Sequence, residues 1–264
     1  MIHYSFMVIP PLPALGDDSL IQQIFDSIKA CGYSGIELSL TPAVYDHFDR
    51  LERWLDEREL VVPSFMTGDA YGEGLCLSSP DAEVRRRTVA RLIEYLDAAE
   101  RFNAILVIGL LQGLLSDEPD QAVANLRIAE CLREVGEAAA PRGIDLVIEP
   151  VNHLQVGFNN SVAEVVALEE KIGSPAWKLM VDTVHMNIED TSLTQPIYDN
   201  AAVLRHVHLC ESNGSTCGTG NIDFRAVIKA LDGISYDHFA SIKVYRKAGM
   251  SDSIPHSIEY LRSL

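Results

Sequence analysis

The chain has 264 residues, of which 47% are hydrophobic and 22% are charged, and its net charge is −17. This composition is that of a folded globular protein, and the negative charge disfavours binding to nucleic-acid phosphates. The five cysteines form no CxxC pair, which argues against a disulfide scaffold and favours the cytoplasm. The N-terminal MIHYSFMVIP lacks the basic region of a signal peptide, and no apolar run is long enough for a membrane span.

Short apolar runs alternate with longer amphipathic stretches along the whole chain. The expected strands are His3–Ile9, Gly35–Leu38, Leu60–Phe65, Ala104–Ile108, Ile144–Glu149, Leu179–Asp182, Leu204–Leu209 and Phe239–Tyr245. The expected helices are Asp17–Ala30, Tyr45–Arg58, Pro80–Arg101, Pro119–Ala140, Ser161–Ile172, Gln195–Ala202, Asp223–Leu231 and Asp252–Leu264. Asp17 or Asp18 is expected to cap the first helix, and Ser78 or Ser79 the third.

Eight strand–helix units in about 250 residues predict an α/β fold, a single (β/α)8 TIM barrel formed by residues 1–264. The alternative is an open, doubly wound sheet. The absence of a GxGxxG motif after the first strand weakens the dinucleotide-binding version of that alternative.

Several predicted strands end in charged or metal-binding side chains. In a barrel the carboxyl ends of the strands converge on the active site. Glu149, Asp182 and His208 end three successive strands and form a set of donors suited to a divalent ion. We expect His206 and His208 to face opposite ways, with His208 as the ligand because it lies nearer the carboxyl end and His206 packing under a helix.

At these residues the chain resembles a known family. The blocks GYSGIEL, LVIEPVNH, VDTVHMNIED and HVHLCESNG followed by GTGNIDF are similar, in order, to those of xylose-isomerase-like sugar isomerase and epimerase barrels. The resemblance is strongest to the branch of ketose 3-epimerases and hydroxypyruvate isomerases, and it covers essentially the whole chain.

The resemblance implies a role for each matching residue. Glu149, Asp182 and His208 would bind the metal, and Glu149 would also be a catalytic acid/base. His185 would contact the substrate, while Glu37 and Glu211 would lie in or behind the pocket. Other residues of the strand ends are also candidates for the pocket: Asn152, which either lines it or caps the next segment, and Phe65, Met66 and Tyr71, which either wall the substrate or belong to the core. Manganese is the expected ion, with magnesium, cobalt and zinc as alternatives.

The eighth strand departs from the family pattern. The family branch has a second glutamate there, as fourth ligand and second acid/base, whereas this chain has Lys243 within FASIKVYR. A protonated lysine has no lone pair for a metal. Three roles remain open for Lys243: catalytic acid/base, a partner of Arg246 in binding a substrate carboxylate or phosphate, or a structural cation among the carboxylates. Gly214, Gly218 and Gly220 are interpreted as a mobile lid after the seventh strand.

Together these features predict a metal-dependent isomerase or epimerase of a small keto-sugar or keto-sugar acid. Glu149 would remove a proton beside the carbonyl, giving a metal-stabilised enediolate. The alternative is a metal-dependent lyase or dehydratase acting on a keto-sugar or 3-keto-glycoside through the same enediolate. A DNA-repair barrel is disfavoured by the charge and the few histidines, and a non-catalytic sugar-binding barrel predicts no metal and no turnover. The expected partner is a small carbohydrate, without nucleic acid or membrane; a homo-oligomer is compatible with the sequence.

Overall fold

The computed structural model describes residues 1–8, 18–245 and 249–264. Its eight strands are β1 (His3–Val8), β2 (Gly35–Ser39), β3 (Ser64–Met66), β4 (Ile105–Ile108), β5 (Leu146–Ile148), β6 (Trp177–Asp182), β7 (Leu204–Cys210) and β8 (Phe239–Lys243). Each strand pairs in parallel with the next, and β8 pairs with β1. The predicted (β/α)8 barrel is therefore confirmed.

The helices lie between the strands in chain order. They are α1 (Asp18–Ala30), α2 (Pro42–Tyr45), α3 (Phe48–Asp56), α4 (Ala82–Phe102), α5 (Gln121–Ala139), α6 (Val162–Ile172), α7 (Thr183–Glu189), α8 (Gln195–Asp199), α9 (Phe224–Gly233) and α10 (Met250–Arg262). Three short 3-10 helices cover Gly68–Glu73, Leu110–Gln112 and Ala140–Arg142. None of the helices in the described ranges is long and apolar enough to cross a membrane.

The hydrophobic core has two parts, as the alternation of side chains along each strand requires. The larger part packs between the strands and the helices. A separate, smaller cluster comprises Ile105, Val107, Val147 and Met180, with Met66 packed against it. Glu149 and Asp182 lie two residues beyond Val147 and Met180, so they continue the same faces of their strands. The barrel interior therefore changes from apolar to charged towards the carboxyl ends of its strands.

Several local predictions differ from the structure. The predicted helix Tyr45–Arg58 corresponds to α3, and the short helix α2 precedes it. The third strand is Ser64–Met66 instead of Leu60–Phe65, because Pro63 has no N–H for the ladder; Val61 makes an isolated bridge instead. Helix α4 is capped by Asp81, which accepts from the Glu83 N–H, and not by Ser78 or Ser79. Asp17 and Ile9 lie outside the described residues.

The sequence prediction also missed α7, which follows β6 directly. Asp182 is its N-cap and accepts a hydrogen bond from the Val184 N–H through Oδ1 at 2.9 Å. Helix α6 begins with a capping box, in which Ser161 is the cap and Glu164 its partner.

Candidate active site

Glu149, Asp182 and His208 come together at the carboxyl ends of β5, β6 and β7. Asp182 and His208 are register partners across the β6–β7 ladder, and Glu149 directly follows β5. His208 Nδ1 lies 3.1 Å from Glu149 Oε1 and 3.4 Å from Asp182 Oδ2. All three side chains are buried, and their potential ligand atoms lie within 4.8 Å of one another.

This geometry fits a divalent metal ion. Ligands about 2.1 Å from an ion are separated from each other by about 3.0 Å in octahedral and about 3.4 Å in tetrahedral geometry. The two distances from His208 Nδ1 fall in that range. Asp182 meets a further requirement, because its Oδ1 is held by the helix cap while its Oδ2 faces His208. The described residues thus provide two carboxylate oxygens and one imidazole nitrogen for an ion.

His206 and His208 both point into the barrel, so the expectation that they face opposite ways is wrong. Residues two apart on a strand share a face. The two rings lie 5.1 Å apart, and the Nε2 atoms of both approach Glu37 Oε1, at 3.2 Å from His206 and 3.1 Å from His208. Ser64 donates to the same oxygen at 2.5 Å. Both histidines therefore belong to one buried network, and His208 joins this network to the candidate metal ligands Glu149 and Asp182.

Glu37 determines which nitrogen of His208 is available to a metal. Burial by itself would raise the pKa of Glu37, but His208 and His206 outweigh this effect and hold the pKa far below its usual value. An ionised carboxylate only accepts hydrogen bonds, so Nε2 of His208 must carry a hydrogen. In the neutral ring, the lone pair is then on Nδ1, which faces Glu149 and Asp182. Glu37 is fully buried behind His208, and it is not among the described residues that line the cavity above the site. It therefore acts on His208 from behind.

Lys243 lies above these ligands, because Cys210 is its register partner while His208 pairs with Ser241. Its Nζ is 2.8 Å from Glu149 Oε1 and 2.8 Å from Asp182 Oδ2. Burial would lower the pKa of Lys243, but the negative charges of Asp182 and Glu149 raise it well above its usual value. Burial would likewise raise the pKa of Glu149, yet Lys243 and the histidines hold it well below normal. Lys243 is thus an ammonium ion paired with two carboxylates.

His185 completes the polar floor of the site and is oriented by Asn152. The Leu154 N–H donates to Asn152 Oδ1 at 3.1 Å, so Asn152 Nδ2 faces His185 Nδ1, 2.7 Å away. Since Nδ1 accepts this hydrogen bond, Nε2 carries the ring hydrogen. That nitrogen lies 3.6 Å from Glu149 Oε1 and 3.4 Å from Lys243 Nζ. The structure therefore places Asn152 behind His185 as its positioning residue.

A cavity of about 560 Å³ opens above this floor. Glu149, His185 and Lys243 are the polar residues of its floor. Its walls are formed by Met7, Ser39, Met66, Gly68, Asp69, Tyr71, Gly72, Gly109, Leu110, Val151, Gln155 and Tyr245. Met66 and Tyr71 are thus wall residues, whereas Phe65 belongs to the core.

The sequence analysis missed four polar wall residues: Ser39, Asp69, Gln155 and Tyr245. Tyr245 follows Lys243 by two residues, and side chains two apart on a strand share a face. The sequence could therefore have predicted that Tyr245 faces the cavity together with Lys243. Asp69 lies in the 3-10 helix Gly68–Glu73 and Gln155 in a turn, and neither segment was predicted from the sequence. Burial raises the pKa of Tyr245 to about 12, so its hydroxyl is a neutral hydrogen-bonding group. Arg246, predicted to bind substrate, lies outside the described residues.

Glu211 anchors the loop after β7. Its Oε1 accepts from the N–H groups of Ser212 and Ile222 at 2.8 and 3.0 Å, and its Oε2 accepts from Gly218 at 2.9 Å. A Cβ at Gly220 would lie 2.5 Å from Glu211 Oε1, so the loop needs glycine there. In the structure, Glu211 therefore binds the backbone of this loop, and it is not among the described residues that line the cavity.

The chain belongs to the xylose isomerase-like TIM barrel family, whose signature matches residues 25–264. It is 30% identical over 251 residues to an L-ribulose 3-epimerase of Mesorhizobium japonicum, covering 93% of this chain and 82% of the relative. It is 31% identical over 163 residues to a ketose 3-epimerase of Arthrobacter globiformis, and this match spans 61% of the chain and 56% of the relative.

Solved structures give the same fold over the full length. An apo 3-keto-D-glucoside 4-epimerase from E. coli superimposes with a TM-score of 0.85 at 19% identity, covering 100% of both chains. An L-ribulose 3-epimerase structure superimposes with a TM-score of 0.82 at 25% identity, covering 100% of this chain and 96% of that one.

Proposed function

We propose that this protein is a metal-dependent epimerase or isomerase of a small keto-sugar or keto-sugar acid. The observation that carries the proposal is the convergence of Glu149, Asp182 and His208 directly beneath one cavity. Of these three, Glu149 reaches the cavity floor, where it lies beside His185 and Lys243. Sugar epimerases among the relatives support the reaction class, since they share the family and much of the chain length.

Glu149, Asp182 and His208 would hold the ion, and manganese is our first choice because the site combines carboxylate oxygens with one imidazole. When bound, such an ion supplies Lewis-acid polarisation of a substrate carbonyl and stabilises developing negative charge. The tautomer of His208 set by Glu37 presents the required lone pair, and the cap of α7 holds Asp182 in place.

Proton transfer would use Glu149 as the base. It lines the cavity and is ionised, so it can accept the proton beside the carbonyl, giving an enediolate. Lys243, with its ammonium hydrogens at the same floor, or a water would return a proton to that carbon or to its neighbour. His185 would position a substrate oxygen through its Nε2–H, whose direction Asn152 fixes.

Lys243 also favours a second candidate function, elimination. An ammonium group next to the base can protonate a leaving group at the β-carbon, so the same enediolate would lead to a lyase or dehydratase. Its substrate would be a keto-sugar or a 3-keto-glycoside. The two functions differ in the products: epimerisation and isomerisation keep the substrate mass, whereas elimination releases water or another group.

The test is incubation of the protein with Mn²⁺ and a panel of ketoses, keto-aldonates and keto-glycosides in D2O. NMR and mass spectrometry of the products would detect deuterium beside the carbonyl. Glu149→Gln is expected to abolish the exchange, and Glu170→Gln, at an exposed glutamate of α6, is the matched control. Products with lost mass would establish the lyase. No exchange with any substrate, with or without Mn²⁺, would refute both enzymatic functions.

We further propose that residues 1–264 form one catalytic domain and that it works in the cytoplasm. All five cysteines are free, and four of them are buried, as a reducing compartment would allow.

A further inference from the structure

Lys243 binds one oxygen of each of the two carboxylates at the candidate metal site. Its Nζ contacts Glu149 Oε1 and Asp182 Oδ2 at 2.8 Å each. These are the same two oxygens that approach His208 Nδ1, at 3.1 and 3.4 Å. The ammonium ion and a metal ion would therefore share both carboxylate ligand atoms.

We propose that Lys243 is a built-in competitor for the divalent metal: its ammonium and the ion bind the same two carboxylate oxygens, so Lys243 weakens metal binding. This inference rests on the metal site assigned to Glu149, Asp182 and His208 in the proposed function.

The charges of the site give the physical reason. Glu149 and Asp182 are buried carboxylates, and buried charges need a counter-charge. Lys243 supplies one from the chain itself, at no cost in association entropy. An incoming dication must either displace the ammonium from these oxygens or be bound a few ångströms from another positive charge. Either route lowers the affinity for the ion relative to a site without the lysine.

The surroundings of Lys243 provide an alternative environment for the ammonium. The Tyr245 ring centroid is 5.6 Å from Nζ, within range of a cation–π attraction. Both residues line the cavity, so a lysine that leaves the carboxylates faces the space where substrate would bind. Lys243 thereby links metal binding to the position of its own positive charge next to the substrate.

The experiment measures Mn²⁺ affinity directly, by electron paramagnetic resonance of free Mn²⁺ and by calorimetry, without any substrate. Lys243→Met and Lys243→Gln remove the charge, Lys243→Arg retains it, and Lys229→Met removes an exposed lysine of α9 as the control for net charge. We expect the two neutral variants to bind Mn²⁺ at least tenfold more tightly than the wild type, and the Arg and Lys229 variants to stay within about threefold.

Thermal unfolding gives a second readout. Without metal, Lys243→Met is expected to unfold at a lower temperature than the wild type, and Mn²⁺ is expected to raise its melting temperature more than that of the wild type. If Lys243→Met fails to fold, Lys243→Gln carries the affinity comparison. Equal Mn²⁺ affinity in the wild type and the neutral variants would overturn the competition and leave the metal site intact. No Mn²⁺ binding by any of these proteins at millimolar concentration would overturn the metal site and the competition together.

Discussion

Glu37 provides a test of how the site is assembled. It is fully buried, and it is not among the described residues that line the cavity. Glu37→Gln preserves the shape of the side chain and removes its charge. One oxygen of this carboxylate accepts from Ser64, His206 and His208, and the other also lies 3.1 Å from His208 Nε2. The second oxygen makes no hydrogen bond with any described residue. Glutamine can keep the accepting oxygen, but it lacks the negative charge, and its NH2 group would then face the His208 Nε2–H, donor against donor.

The expected effects are large on metal binding and on stability. Replacing a carboxylate that orients a metal-binding histidine typically weakens metal affinity about 10- to 100-fold. Hydrogen bonds to a charged group contribute about 1.5–3 kcal/mol each, so weakening this network should cost about 3 kcal/mol of unfolding free energy. At about 2 °C per kcal/mol for a chain of this size, the melting temperature should fall by about 6 °C.

The assays are calorimetric titration with Mn²⁺ and urea unfolding of the metal-free protein. Ser64→Ala is the matched control, since it removes one donor from the network and leaves the carboxylate on both histidines. We expect that control to cost about 1 kcal/mol and to leave Mn²⁺ affinity within about twofold of the wild type. If Glu37→Gln binds Mn²⁺ as tightly as the wild type, the argument that Glu37 fixes the His208 tautomer is refuted.

Three further predictions concern other parts of the molecule. Glu149→Gln should reduce turnover by at least about 100-fold, measured with the best substrate of the panel, and undiminished turnover would remove Glu149 from the role of base. Asn152→Ala should lower kcat/KM by about tenfold with unchanged Mn²⁺ affinity, because His185 loses its fixed orientation; a loss of Mn²⁺ affinity instead would contradict a role confined to His185. Burial raises the pKa of Glu169 from 4.5 to about 7, so the folded protein keeps this proton while the unfolded chain has lost it. Stability from this group is thus lost as pH rises from about 4.5 to 7, by about 3 kcal/mol. Urea unfolding at pH 5 and pH 8 should show a smaller loss in Glu169→Gln than in the wild type, whereas Glu170→Gln should behave as the wild type.

Much of the fold could be predicted because it is encoded locally. Apolar runs of strand length separated by amphipathic stretches recur eight times, and parallel strands covered on both faces have this pattern. The positions of Glu149, Asp182 and His208 at the ends of successive strands follow from the same alternation. Helix α7 was missed because it begins directly after the last residue of β6, and Asp182 is both the end of the strand and the cap of the helix.

The contacts across the barrel could not be read from the chain. Lys243 stood out in the sequence as a departure from the family pattern, but three roles remained open for it. Its two carboxylate partners depend on the stagger of β8 against β7, which sets Lys243 beside Cys210 and one layer above His208. Likewise, Glu37, Ser64 and His206 come from three different strands, and their meeting depends on barrel closure.

The sequence by itself determined the barrel, the order of its strands and the residue types at their carboxyl ends, because these follow from hydrophobic periodicity and from family resemblance. Only the tertiary structure decided that Glu37 supports His208 from behind, that Glu211 anchors a loop, and that Lys243 shares its carboxylate oxygens with the candidate metal site. The physical reason is that periodicity fixes the face on which a side chain lies, whereas its partners are set by strand register, barrel closure and the paths of the loops.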